Sequence, residues 1–99
     1  MRVAEPPVVE HSVFDRALET HPRVALRPEP FGALLYHYGT RRLVFLKHPD
    51  VVRVVESLAH HPTVAASLDA SEIAPERRSA FAAALLSLLD SEMLRDRPR

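Results

Sequence analysis

The sequence contains no cysteine, and this absence limits the chemistry that the chain can perform. Without cysteine there is no disulfide framework, no thiolate metal site and no thiol nucleophile. Glycine is also scarce, since Gly32 and Gly39 are the only two in 99 residues. Loops that hold phosphate groups with their backbone depend on several closely spaced glycines, so this sequence offers no such loop.

Net charge and long apolar runs are absent as well. The 13 lysines and arginines are balanced by 13 aspartates and glutamates, so the chain has no overall attraction to nucleic acid or to an anionic membrane. No apolar run approaches the roughly 18 residues that a membrane-spanning helix requires. The N-terminal stretch MRVAEPPVVEHS lacks the basic region and apolar core of a signal peptide. These features predict a cytoplasmic protein that binds neither nucleic acid nor membrane.

Patterns that carry catalytic or metal-binding chemistry are missing too. None of the six histidines lies three or four residues from another, which is the spacing that places two imidazoles on one helical face. The serines occur in neither GxSxG nor SxxK, and the carboxylates are scattered rather than paired for acid–base catalysis. We therefore predict no enzyme, no metal and no cofactor. We interpret His37 as a surface partner of Arg42 across a hairpin.

What the sequence does contain fits one small domain. Its 46% hydrophobic content is that of an ordinary globular chain. Residues 1–12 are predicted to form a flexible N-terminal arm, because Pro6-Pro7 blocks a helix and nothing periodic surrounds it. Residues 13–94 are predicted to form a single domain, and residues 95–99 a frayed tail.

The stretch FGALLYHYGTRRLVFLKHP predicts a β-hairpin over 31–49. A two-residue type II′ turn at Gly39-Thr40 pairs Tyr36 with Leu43 and Leu34 with Phe45. The base of this hairpin is apolar on both faces, whereas a small antiparallel sheet usually keeps one face polar. One face is predicted to pack on helices, and the other needs a cover.

Two covers are possible for the second face, namely the 13–21 segment or another molecule. The 13–21 segment is predicted to form one or two helical turns that end at His21, before Pro22. A short strand is predicted near 23–27, where Val24 and Leu26 alternate with other residues.

After Pro49 the hydrophobic period changes from about two to about 3.6. This change predicts helices near 49–60, near 62–69 and from about Pro75 to Glu92. The predicted fold class is therefore α+β, with a three-stranded antiparallel sheet followed by three helices. The order resembles a winged-helix arrangement.

The hairpin and the last helix together favour a peptide-binding function. Arg42–Lys47 is predicted to be an edge strand, which offers unpaired N–H and C=O groups to an extended peptide. The alanine-rich last helix, from about Pro75 to Glu92, would leave a shallow surface beside it. The domain over 13–94 would then be a peptide-recognition domain. Its predicted contact residues are Arg42, Leu43, Val44, Phe45, Leu46, Lys47, Arg78, Phe81, Ala82 and Leu85.

Two other classes of function remain open. Arg41, Arg42, Lys47, His48 and Arg53 form a basic cluster, and such a cluster on a winged-helix protein can contact DNA phosphates. The last helix reads AFAAALLSLLD, however, and this sequence lacks the polar side chains that read base edges. The other alternative is a structural subunit that buries its second face in a homodimer, so the oligomeric state stays open.

The segment HPRVALRPEPFGALLYHYGTRRLVFLK resembles the mycofactocin-pathway precursor-peptide chaperones, and the resemblance extends from about Phe14 to Leu94. These chaperones are recognition elements for ribosomally made, post-translationally modified peptides and are similar to the pyrroloquinoline quinone chaperone. The resemblance implies that the leader of a short precursor peptide adds as a strand beside the third strand and against the third helix. It also implies a radical SAM maturase as second partner, which modifies the C-terminal Val-Tyr end of the precursor. It implies no catalytic residue in the chaperone itself.

Overall fold

The computed structural model describes residues 13–98, which form two small antiparallel sheets and three α-helices. The strands are β1 (Leu18–Thr20), β2 (Val24–Glu29), β3 (Gly32–His37), β4 (Leu43–Leu46) and β5 (Leu94–Asp96). The helices are α1 (Pro49–Ser57), α2 (Val64–Ala70) and α3 (Arg78–Asp90), with 3-10 turns at Leu58–His60 and Pro75–Arg77. The predicted arm over 1–12 lies outside the described residues.

The central sheet confirms the predicted α+β class and the predicted register of the hairpin. Its strand order is β2-β3-β4, and all neighbours are antiparallel. Tyr36 lies opposite Leu43 and Leu34 lies opposite Phe45, as a turn centred on Gly39-Thr40 predicts. Because side chains alternate along a strand, a slip of one residue would move every apolar side chain to the wrong face.

The turn between β3 and β4 differs from the predicted two-residue type. The amide of Arg41 donates to the carbonyl oxygen of His37 over 2.8 Å, which closes a longer turn over residues 38–41. Arg41 adopts a left-handed conformation with φ of 68°, whereas Gly39 does not take the positive φ that a type II′ turn requires. The buried ring of His37 explains this difference, because its Nδ1 accepts hydrogen bonds from the amides of Gly39 and Thr40 at 3.0 and 3.1 Å.

The prediction of one or two helical turns over 13–21 is wrong for most of this segment. Only Val13 and Phe14 within it are helical, and Leu18–Thr20 forms β1, which pairs with β5. The predicted frayed tail over 95–99 is wrong at its start, because Arg95 and Asp96 belong to strand β5.

Ion pairs reinforce the pairing of β1 with β5. Arg16 donates to both carboxylate oxygens of Asp96 at 2.9 and 2.7 Å, and Arg95 lies 2.6 Å from Glu19. These partners are separated by 76 to 80 residues in the chain. A local sequence pattern carries no information about such distant pairing, so the strand was missed.

Helix α1 lies against β3 and β4 of the central sheet, and all three helices contribute to the core. Helix α1 lies within the helix predicted near 49–60 and buries Val54 and Val55. Helix α2 begins at a cap, since the Thr63 hydroxyl accepts a hydrogen bond from the Ala66 amide at 3.1 Å. The remaining core comes mainly from the sheet, α3 and β5 and includes Leu35, Leu46, Phe81, Ala82, Leu85, Leu88, Met93 and Leu94.

Gly32 is required where β3 passes the end of β4. A Cβ atom at this position would overlap the carbonyl oxygen of Leu46, and the backbone has φ of 159°. We expect Gly32→Ala to lower the free energy of unfolding by about 1–3 kcal/mol, the usual cost of forcing an extra carbon into a packed site. Thermal and urea unfolding measure the change. Phe31→Ala is the control, because Phe31 is 75% exposed, and equal stability of both variants would contradict the expectation.

Candidate functional site

One edge of the central sheet is open at β4. Among the described residues, no strand pairs with the side of β4 that faces away from β3. The amide of His37 donates to the carbonyl oxygen of Arg42 over 3.0 Å, and hydrogen-bonded pairs alternate along an antiparallel ladder from that point. The backbone groups of Val44 therefore bond to β3. The N–H and C=O groups of Leu43 and Phe45 point away from the sheet.

The opposite edge, at β2, offers fewer hydrogen-bonding groups. The alternation of the β2–β3 ladder turns Val24, Leu26 and Pro28 outward. Pro28 has no N–H group, and the amide of Val24 already donates to the carbonyl oxygen of His21 at 2.9 Å. An added strand therefore finds a complete set of donors and acceptors at β4 and a broken set at β2.

The two faces of the central sheet differ in what covers them. Leu35 and Leu46 point to the helices and are buried. Leu43 and Phe45 point to the opposite face, where their side chains are 60% and 43% exposed. The 13–21 segment does not cover this face, since β1 lies against α1 and the turn that follows it. Within the described residues, Leu43 and Phe45 therefore stay exposed on this face.

A groove of about 390 Å³ lies between the beginning of α1 and one side of α3. Its lining residues are His48, Val51, Glu76, Arg77, Ala80, Phe81 and Ala84. On the α1 side the groove begins at His48, two residues after β4 ends. The free edge of β4 and the groove therefore follow one another along the chain. The short side chains of Ala80 and Ala84 keep the α3 wall low.

Arg77 carries positive charge into this groove. Its guanidinium lies 5.2 Å from the centroid of the Phe81 ring, in cation–π geometry. It also donates to the carboxylate of Asp50 at 2.9 Å. Asp50 accepts a second hydrogen bond, from Arg53 at 3.2 Å. Because Asp50 is in α1 and Arg77 directly precedes α3, this network connects the two walls of the groove.

The edge strand keeps most of its predicted contact residues accessible. Arg42, Leu43, Phe45 and Lys47 are exposed, and Val44 is half-buried. Leu46 is buried, because its side chain points into the core. The backbone of this strand is thus available along its free edge, whichever way each side chain points.

The predicted contact residues of the last helix lie deeper than expected. Phe81 lines the groove although it is only 5% exposed, whereas Ala82 and Leu85 are enclosed in the core. Arg78 serves the fold, since it donates to the carbonyl oxygen of Ile73 at 3.0 Å and lies 2.8 Å from Asp69. Ala82 and Leu85 therefore support the wall from beneath and do not form its surface.

The residues that form the groove surface were not among the predicted contact residues. Ala80 and Ala84 face the groove, together with Val51 and His48 of the α1 side. The alanine-rich stretch AFAAALL signals a shallow helical surface. However, its apolar residues surround the helix, so the pattern does not show which side faces the core.

The prediction that His37 lies on the surface is wrong. Its side chain is 3% exposed, and its ring centroid lies 4.6 Å from that of His21. Since Nδ1 accepts two backbone hydrogen bonds, the proton of the neutral ring is on Nε2, a buried atom without a hydrogen-bond partner in the described structure. Burial lowers the pKa of His21, and nearby positive charge adds to this effect.

A second polar site lies at the β1–β5 sheet, away from the groove. The two hydrogen bonds from Arg16 hold the pKa of Asp96 below its usual value, and the same bonds raise the pKa of Arg16. These charges are largely neutralised by each other. In the described part of the chain, no group of three or more metal-ligating side chains comes together, and no helix has the length and apolarity to cross a membrane.

The fold and site define a small α+β domain with one free strand edge and a groove that begins two residues after that strand. The chain belongs to the peptide chaperone MftB family, whose model matches residues 17–95. It is 48% identical to the peptide chaperone MftB of Mycolicibacterium smegmatis over 88% of this chain and 87% of that protein. It is 48% and 44% identical to the proteins of the same name from Mycobacterium ulcerans and Mycobacterium tuberculosis, over 81% of this chain and 73% of each relative. No solved structure matches the chain significantly.

The matched family and the three relatives are all described as peptide chaperones. The chain thus belongs to a family of peptide chaperones, which agrees with the prediction of a non-enzymatic protein.

Proposed function

We propose that this chain is a non-catalytic chaperone that binds the leader of the mycofactocin precursor peptide by strand addition. The leader lies along the free edge of Arg42–Lys47 and continues toward the groove formed by α1 and α3. The chaperone then presents the bound peptide to a radical SAM maturase.

The observation that carries this proposal is the free edge of β4 next to the groove. Leu43 and Phe45 direct their backbone groups outward, which supplies two donors and two acceptors for an extended chain. Backbone bonds of this kind give affinity in strand addition, and neighbouring pockets give specificity. The groove beside His48 supplies such a pocket, with Phe81 in its wall.

Strand addition also suits delivery to a second protein. A guest that is held through its leader leaves the rest of the precursor unbound, so the end that is modified stays accessible to an enzyme. The radical SAM maturase as recipient rests on the resemblance to the mycofactocin-pathway chaperones. The names of the relatives, which are peptide chaperones, support a peptide as the guest.

An NMR titration tests the proposed mode of binding. ¹⁵N-labelled chain is mixed with the synthetic precursor peptide from the neighbouring gene, and a peptide of the same composition in scrambled order serves as control. We expect the amide shifts to concentrate at Leu43, Phe45 and the Ala80–Ala84 wall. Slowed amide exchange at Leu43 and Phe45 would identify new backbone hydrogen bonds.

Two results would overturn the proposal. Absence of shifts at high peptide concentration would remove peptide binding altogether. Shifts confined to β2 or to the β1–β5 sheet would keep a peptide ligand but remove the proposed site.

A further inference from the structure

The open face of the central sheet carries an apolar surface next to the free edge. The side chains of Leu34, Tyr36, Leu43 and Phe45 share this face, because Leu34 is opposite Phe45 and Tyr36 is opposite Leu43. Tyr38 continues the surface, since its ring packs edge-on against Tyr36 at 5.1 Å. We call these five residues the open-face cluster.

The fold does not use the outer members of this cluster. The core lies on the other face of the sheet, and Leu43 and Phe45 remain 60% and 43% exposed. Exposed apolar side chains on an edge strand invite aggregation, and proteins usually block such edges with proline or charge. The β2 edge is blocked in this way by Pro28. The β4 edge instead combines free backbone groups with exposed apolar side chains.

The same two residues provide both features. Leu43 and Phe45 have backbone groups that point off the edge and side chains that point to the open face. Residues directly opposite one another in paired strands place their side chains on the same face. A guest residue opposite Leu43 or Phe45 therefore lies against the open-face cluster. The guest residue opposite Val44 points to the side of the helices.

From this geometry we infer that the chain contacts the side chains on both faces of the guest strand. This inference rests on the proposed function. The guest is an extended segment with apolar side chains at consecutive positions, so that one alternating set covers Leu43 and Phe45 while the other set enters the helix side. A strand that alternates apolar with charged residues satisfies one face only and binds weakly. The exposed cluster is thus completed by the guest itself.

A double-mutant cycle between chain and peptide tests the inference. Leu43→Thr/Phe45→Thr removes the apolar surface of the edge but keeps residues that favour strands. In the synthetic precursor peptide from the neighbouring gene, each position of the bound segment is changed to lysine in turn, and Kd is measured by calorimetry. For the unchanged chain, we expect lysine at any position of either alternating set of peptide residues to raise Kd by about tenfold or more.

The double variant should change the response of one set only. In the double variant, lysine at the peptide positions that face Leu43 and Phe45 should raise Kd by less than about threefold. Lysine at the intervening peptide positions should still raise Kd by about tenfold or more. Ala25→Thr is the matched control, because Ala25 is on the same face at the β2 edge. Ala25→Thr should leave the increase in Kd that lysine causes unchanged at both sets of peptide positions.

The outcomes separate this inference from the proposed function. If the peptide binds at β4 but lysine raises Kd at only one set of positions, contact with both faces is wrong and strand addition stands. The same conclusion follows if the double variant changes the effect of lysine equally at both sets. If the unchanged chain does not bind the peptide, the proposed function fails first. A dimer in sedimentation experiments that Leu43→Thr/Phe45→Thr dissociates would assign the face to a second copy and overturn the inference.

Discussion

Phe45→Pro should weaken guest binding about a hundredfold while the domain stays folded. The amide of Phe45 points off the free edge of β4, so proline removes a donor that only the guest uses. The guest carbonyl opposite it is left buried without a partner, and the proline ring also obstructs the guest backbone. A hundredfold change in Kd corresponds to about 2.7 kcal/mol, within the range of a lost hydrogen bond plus a steric clash.

Two matched variants make this test specific. Phe45→Ala removes the aromatic side chain but keeps the amide, so the difference in Kd between Phe45→Ala and Phe45→Pro measures the backbone contribution. Val44→Pro removes an amide that bonds to β3 and should lower the free energy of unfolding by about 1–3 kcal/mol. Circular dichroism and urea unfolding distinguish these effects. Equal Kd for Phe45→Ala and Phe45→Pro would exclude strand addition at this edge.

Ala80→Trp should weaken guest binding by at least tenfold because the indole fills the groove. Ala80 is an exposed residue of the α3 wall, so the larger side chain occupies space that the guest needs and does not disturb the core. Tenfold in Kd corresponds to about 1.4 kcal/mol. Calorimetry with the precursor peptide measures the change, and thermal unfolding verifies that the variant is folded.

Ala83→Trp is the control for the groove variant. Ala83 is also exposed, and it belongs to the same helix but does not line the groove. Both changes carry the same small cost in helix propensity, roughly 0.5 kcal/mol. Similar losses of affinity for Ala80→Trp and Ala83→Trp would show that the guest does not occupy this groove. Leu85→Glu is not a useful probe, because Leu85 is 1% exposed and a buried carboxylate would unfold the domain.

The stretch FGALLYHYGTRRLVFLK was sufficient to predict the hairpin, and the position of Gly39-Thr40 was sufficient to predict its register. The observed turn over 38–41 is longer than predicted but is centred on the same two residues, so Leu34–Phe45 and Tyr36–Leu43 still pair. The 3.6-residue period after Pro49 was sufficient to predict three helices, although α3 begins at Arg78 after a 3-10 turn. These sequence signals depend only on neighbouring residues, so they can be recognised without knowledge of the fold.

The candidate site was predictable only in part. Arg42–Lys47 could be recognised as a strand at the edge of the sheet, because the hairpin is followed by helices. Which amides face outward depends on the turn. The turn depends on the ring of His37, which accepts two of its amide hydrogen bonds and is buried beside His21. On α3, the apolar residues surround the helix, so the sequence did not separate buried Ala82 and Leu85 from Ala80 and Ala84 in the groove.

The sequence by itself therefore determined a β-hairpin of known register, three helices and, through its lack of cysteine, the absence of disulfides. The tertiary structure alone decided the pairing of β1 with β5, the burial of His37 and the residues that line the groove. The physical reason is the separation of the interacting groups along the chain. Periodicity reports the environment of a residue relative to its neighbours, whereas Arg16 meets Asp96 across 80 residues, and only the packed chain brings such groups together.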